Sequence, residues 1–375
     1  MCITQLSHAT NESRITVFIR GTWQGNGRIQ SEELRMHVLI TGGAGFIGSH
    51  IAALHLARGH KVHVVDDFST GSRANIAAFE ELPNFRIDEA DVLTWPLLQQ
   101  AAAWADRIYH LAAVVGVYRV IAEPTRVLAT NIAGCERLFR TVAASGWLPQ
   151  VVVASSSEVY GHRQEALLDE SMDLSLSTSV GTRWNYSVSK VADEALGLSY
   201  AQKFGIPVIV ARFFNTIGPR QTGRYGMVVP RFVEQAVRGE PITIFGSGNQ
   251  TRSFCDVRDN VAALDQLCTS DQVPGAAMIV NIGNDREISM NGLAELVRAR
   301  AGSNSPITHT PYLEAYGEEF EDIKRRRPAL DRLRTLTGFQ HSYTLEDTLD
   351  ELIADSHAQH KRIEHGHSTV VCNQP

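Results

Sequence analysis

Short apolar runs alternate with stretches of helical spacing from Met36 to about Arg212. The runs at 37–41, 61–66, 84–88, 107–111, 150–155 and 207–212 read as strands. Most are rich in Val and Ile with little polar alternation, as expected of strands covered on both faces. Residues 47–57, 129–144 and 186–204 carry the helical spacing between them. This βαβα order predicts an α/β fold with a doubly wound parallel sheet. Past Arg212 the pattern loosens. A helix is expected at 228–238, a short strand at 242–245 and another helix at 290–301, which together predict a smaller C-terminal α/β region.

The first strand runs into Thr41-Gly42-Gly43-Ala44-Gly45-Phe46-Ile47-Gly48, where Gly42, Gly45 and Gly48 fall three apart. Gly42 allows a tight turn. Gly45 lets backbone approach a pyrophosphate, and Gly48 lets the helix pack against the strand. The free N–H groups and dipole of the helix N-terminus favour the anion. The second strand ends in Asp66, roughly 20 residues past the glycines, where a carboxylate binds a ribose hydroxyl. Strand, glycine turn, helix, strand and acid together predict a Rossmann dinucleotide site. Asp66 selects NAD, because it would repel a 2′-phosphate. The turns carrying Asp91 and Val92, and Leu111, Ala112 and Ala113, follow the third and fourth strands. Ligands bind at such strand ends in open α/β sheets, so both turns are placed to line the cofactor.

The bulk numbers narrow the class. With 375 residues, 43% of them hydrophobic, the chain can bury a large core. A net charge of −6 gives no support for nucleic-acid binding. The five scattered cysteines form no CxxC pair, so free thiols in a reducing compartment are expected and a metal site is not. No apolar run reaches the roughly 18 residues of a membrane helix, and polar residues interrupt the N-terminus, so a cytoplasmic protein without membrane contact is expected. Residues 1–35 are polar and mixed, and are expected to form a disordered extension before Met36. The His-rich stretch 356–375 is likewise expected to be a disordered tail.

The fifth strand leads into Ser155-Ser156-Ser157-Glu158-Val159-Tyr160-Gly161, and Arg183-Trp184-Asn185-Tyr186-Ser187-Val188-Ser189-Lys190 follows. Tyr186 and Lys190 share a helix face. A lysine cation beside a phenol favours the phenolate, which predicts a lowered tyrosine pKa and a general base. A serine at a neighbouring strand end can share the substrate hydroxyl's hydrogen bond.

Together with His110 to Ala113, Phe214 to Arg220 and Ile244 to Arg252, these motifs resemble the extended short-chain dehydrogenase/reductases, specifically the nucleotide-sugar epimerase/dehydratase/decarboxylase group. The resemblance spans 36–353. It implies an NAD-binding domain at 36–212 and a mainly substrate-binding domain at 213–355. It makes Ser156, Tyr186 and Lys190 the catalytic trio and Asn131 a structural asparagine. Asn215 and Arg252 become contacts to the substrate diphosphate or ribose, and Phe245 a ring that stacks on the base. A homodimer through the helices at 129–144 and 186–204 is implied as well.

The resemblance implies oxidation at C4 of a nucleotide sugar, expected to be UDP-linked. The 4-ketone can then decarboxylate, lose water or return as the C4 epimer. Glu158 resembles decarboxylases and 4,6-dehydratases, whereas plain 4-epimerases generally lack a carboxylate there. Ser157 departs from the aspartate of glucose-type dehydratases. Arg183 through Lys190, and Tyr316 through Pro328 with Arg326, resemble UDP-glucuronate decarboxylases. Decarboxylation is therefore the first reading. A 4-epimerase and then a 4,6-dehydratase are the alternatives, and a non-catalytic NAD-binding scaffold is the remote one.

Overall fold

The computed structural model describes residues 35–163, 165–176, 184–223, 226–271, 276–316 and 323–368. The expected N-terminal extension lies outside them, Arg35 apart.

Six strands form as the apolar pattern requires: β1 His37–Thr41, β2 Lys61–Asp66, β3 Phe85–Glu89, β4 Arg107–His110, β5 Gln150–Ser156 and β6 Val208–Phe213. A seventh, Ala277–Ile282, joins them. The sheet order is Ala277–Ile282, β6, β5, β4, β1, β2, β3. Every pairing is parallel. Alternate residues feed opposite layers. Val38 and Ile40 pack on one face with Ile51, Val64 and Leu264, while Leu39 packs on the other with Val65, Leu138 and Val153. These strands are apolar on both sides because helices cover both sides.

The order reverses between β1 and β4, so the crevice at their C-terminal ends is a topological switch point, where open α/β sheets bind ligands. The helix Phe46–Ala57 starts there after β1, and the helix Pro124–Ser145 follows the turn after β4. The helix Asn185–Phe204 packs against Pro124–Ser145, with Phe139 and Tyr200 stacked between them.

After β6 the chain builds a second core around Phe232, Val233, Ile244, Leu293, Val297 and Leu349. Three small sheets accompany it: Thr216–Ile217 with Cys255–Asp256, Ile242–Phe245 with Ile307–Thr310, and Thr251–Ser253 between Glu287–Ser289 and Arg325–Arg326. The 213–355 segment is thus not confined to this region. Val257–Thr269 and Ala277–Ile282 return to the large sheet, with Val261 and Leu264 in its core. The last helix, Leu345–Ser368, runs past the boundary at 355 into the stretch expected to be disordered. Its apolar Leu349 and Ile353 bury against the second core, and that anchored turn lets the helix propagate. Among the described residues no helix is long and apolar enough to cross a membrane.

Candidate active site

A cavity of about 580 Å³ opens at the switch point and extends to the second core. Its volume suits a large organic ligand. Every site residue read from the sequence lines it except Arg183, which lies outside the described residues.

The glycine turn has the shape a dinucleotide needs. Gly42 has φ +72°, and a Cβ there would sit 2.8 Å from the Ala112 nitrogen. A Cβ on Gly48 would meet the Gly42 carbonyl at 2.4 Å, so only glycine lets the helix start this close to the turn. Gly45 caps the helix without a side-chain bond, and the first turn carries no acid. Its N–H groups and positive dipole end therefore face the cavity uncompensated. Phe46 and Ile47 line the wall beside it, and Asp91 with Val92 and Leu111 through Ala113 line the floor.

Asp66 ends β2 and is buried. One oxygen accepts from the Ala44 N–H at 2.9 Å and the other from Phe68 N–H at 2.8 Å. Burial pushes its pKa up, against the pull of these N–H groups. A Cβ on Gly71 would lie 2.7 Å from the carboxylate, so glycine keeps that face clear. The turn, the uncapped helix and this carboxylate fit NAD. Asp66→Ala is expected to weaken NAD binding by roughly 1.5–3 kcal/mol, the value of a charged hydrogen bond. Calorimetry on wild type with NAD and NADP is the check: equal affinities would remove Asp66 as the selector.

Ser156 ends β5, and its hydroxyl accepts from Glu158 N–H at 3.2 Å, opening the short 3₁₀ turn Ser157–Tyr160. That turn aims Glu158 into the cavity beside Tyr186. Asn131 ties the floor to the next helix. Its amide donates to Ser189 Oγ at 3.0 Å and its carbonyl accepts from Val114 N–H at 2.7 Å. Tyr186 packs on Val114, Val120 and Val127.

The tyrosine's acidity corrects the sequence expectation. Lys190 and hydrogen bonding with Ser156 do favour the phenolate, but burial is the larger effect, and Glu158 and Asp193 oppose ionisation too, so the pKa rises above the usual value. Lys190 is itself compensated, with Nζ 3.1 Å from Asp193 Oδ2. His110 bonds Thr41 Oγ1 through Nδ1 at 2.8 Å, and burial lowers its pKa to about 3. It is neutral and holds the β1 and β4 ends together.

Arg326 reaches this cluster from 168 residues away in sequence. The strand Arg325–Arg326 pairs in parallel with Thr251–Ser253, setting Arg326 beside Arg252. Leu168 bonds through its backbone to Arg327 and Ala329, pinning the segment near the turn after β5. Arg326 Nη2 then donates to Glu158 Oε1 at 2.9 Å. Among the described residues its buried Nε has no acceptor.

At the far end, the Arg231 guanidinium lies 3.8 Å from the Phe245 ring centre, and Gln250 donates to the Tyr312 hydroxyl at 3.0 Å. Arg252 donates to the Thr251 and Ile323 carbonyls. Asn215 has φ +22° and donates to the Ser253 carbonyl at 2.8 Å. Arg231 and Tyr312 escaped the sequence reading, since neither belongs to a recognisable spacing. Gln250 stood inside the Ile244 to Arg252 motif and could have been chosen there. Among the described residues, no cluster of three or more His, Cys, Asp or Glu could hold a metal.

Residues 38–283 match the NAD dependent epimerase/dehydratase family. The chain is 34% identical over 326 residues to a UDP-N-acetyl-alpha-D-glucosaminuronate decarboxylase from Bacillus cytotoxicus, covering 85% of this chain and 97% of that one. It is 34% identical over 335 residues to UDP-glucuronic acid decarboxylase 1 of Xenopus tropicalis, covering 89% and 75%. A UDP-glucuronic acid 4-epimerase from Bacillus cereus, solved with UDP-glucuronic acid and NAD, superposes with a TM-score of 0.76 at 25% identity, over 86% of this chain and 99% of that one.

Proposed function

This chain belongs to the NAD-dependent epimerase/dehydratase family, and from that premise we propose that it decarboxylates UDP-glucuronate to a UDP-pentose. Residues 36–212 hold the cofactor, and 213–355 mainly the nucleotide sugar. Phe245 stacks on the base, while Asn215 and Arg252 meet the ribose or diphosphate. Arg183, outside the described residues, is assigned to the substrate from its place in the sequence motif. NAD held there would supply the acceptor, and later the donor, of the C4 hydride. Tyr186 removes the proton of the 4-hydroxyl, Ser156 shares that hydroxyl's hydrogen bond, and Lys190 favours the phenolate.

In the 4-ketone of a hexuronate, the carboxylate at C6 is β to the carbonyl. The C5–C6 bond breaks, its electron pair enters the C4–C5 enolate, and carbon dioxide leaves. A proton from solvent then adds to C5 in place of the carboxylate. Arg326 binds the carboxylate or developing enolate by charged hydrogen bonds. Glu158 holds the ring with the breaking bond perpendicular to the ketone plane, so that it overlaps the π-system.

The observation that carries this reading is the Arg326–Glu158 pair lining the same cavity as Tyr186. A guanidinium at the cavity wall can take a substrate carboxylate by charged hydrogen bonds. The decarboxylase relatives support the same choice. The likeness to a UDP-glucuronic acid 4-epimerase favours 4-epimerisation as the second reading. Mass spectrometry of products from UDP-glucuronate, its 2-acetamido analogue and UDP-, dTDP- and GDP-hexoses is the test. Loss of carbon dioxide from UDP-glucuronate is expected. A product of unchanged mass resolved as UDP-galacturonate would promote the epimerase, and loss of water from a hexose the dehydratase.

A further inference from the structure

We propose that Asp193 is a positioning residue acting through Lys190: its carboxylate anchors the ammonium and tempers how strongly that cation draws the proton from Tyr186. The inference rests on the reading of Tyr186 as the base.

Lys190 Nζ and Asp193 Oδ2 lie 3.1 Å apart, with side chains only 4% and 1% exposed. Three residues of helix bring them together on one face. The other carboxylate oxygen, Oδ1, is buried with no hydrogen-bond partner among the described residues, and the Cys135 thiol lies 3.9 Å from the Asp193 backbone carbonyl instead. A half-satisfied buried carboxylate is a poor stabilising device. Its placement is explained by the charge it faces.

The Tyr186 phenol is flanked by two ion pairs, Lys190–Asp193 from its own helix and Glu158–Arg326 from the turn after β5 and the strand Arg325–Arg326. Lys190 draws the phenol toward ionisation, and Glu158 and Asp193 resist it. The other titratable groups around the lysine are Cys135 on Pro124–Ser145 and His110 at the end of β4. Burial keeps that thiol protonated and that imidazole neutral. Glu194, next to Asp193, is spent on a two-point ion pair with Arg212. The ionised group compensating Lys190 from within its own helix is therefore Asp193.

Removing the Asp193 charge leaves the lysine's field uncompensated at the phenol. The phenolate gains relative to the phenol, and Tyr186 titrates at lower pH. Asp193→Asn keeps the shape and removes the charge. The acid limb of its kcat–pH profile, measured with a nucleotide sugar that wild type turns over, is expected to fall by roughly one pH unit. The substrate-free protein supplies an independent readout: the ultraviolet phenolate titration, taken as the difference between each protein and its Tyr186→Phe counterpart, should move the same way. Asp193→Glu, which keeps the charge, should bring both back toward wild type.

Midpoints that stay at wild-type values, whether turnover falls or not, would overturn the proposal. If Asp193→Asn does not fold, Asp193→Ser is measured instead. Failure of both to fold would mark the carboxylate as purely structural and overturn it as well. A shifted phenolate titration without turnover of any nucleotide sugar would uphold Asp193's role and sink the reaction assigned above.

Discussion

Tyr186→Phe is expected to lose turnover by roughly 10²-fold or more, the contribution of a general base, while folding as wild type does. Only the hydroxyl is removed. The ring keeps its packing on Val114, Val120 and Val127, and the helix Asn185–Phe204 keeps its length. The raised pKa of the buried phenol makes the result sharper. A phenol that resists ionisation depends on Lys190 for what phenolate it has. Lys190→Met should accordingly move the pH at which activity appears upward. Initial rates across pH, paired with thermal unfolding, check both variants. Turnover by Tyr186→Phe at the wild-type rate would remove Tyr186 from the reaction.

The second large effect is expected at the Glu158–Arg326 pair. Glu158→Gln and Arg326→Ala should leave C4 oxidation by Tyr186 intact and stall carbon dioxide release from UDP-glucuronate. Each variant breaks the ion pair at a site where the side chains are only 15% and 8% exposed. Breaking a fully buried pair costs about 3–5 kcal/mol, and this partly open one should cost less. Unfolding curves therefore accompany the assay, so that lost stability is not mistaken for lost chemistry. The signature is cofactor absorbance that changes on adding UDP-glucuronate without release of carbon dioxide. Carbon dioxide release at the wild-type rate from both variants would remove the pair from the bond-breaking step.

Parts of the site were legible because their chemistry is local. Gly42, Gly45 and Gly48 lie within seven residues, and Tyr186 and Lys190 within one helical turn, so spacing alone brings each set together. Asp66 required only the length of one strand–helix–strand unit. The acidity of Tyr186 was misread for a related reason. The sequence shows the lysine four residues away, but it does not show the desolvation, or Glu158 arriving from another element.

The parallel sheet and its cofactor turn follow from the order of residues along the chain. Continuous apolar runs must be covered on both faces, and a glycine-rich turn before a helix leaves N–H groups for an anion. Tertiary structure decided which distant groups meet there. The strand Ala277–Ile282 and the helix Val257–Thr269 returned to the large sheet, where their apolar faces found the free side of β6 and the layer over Ile40. The register of Arg325–Arg326 against Thr251–Ser253 brought Arg326 to Glu158. Packing likewise laid Arg231 over Phe245. Such pairings depend on strand register and on how two cores share their elements, and neither leaves a periodic trace in the chain.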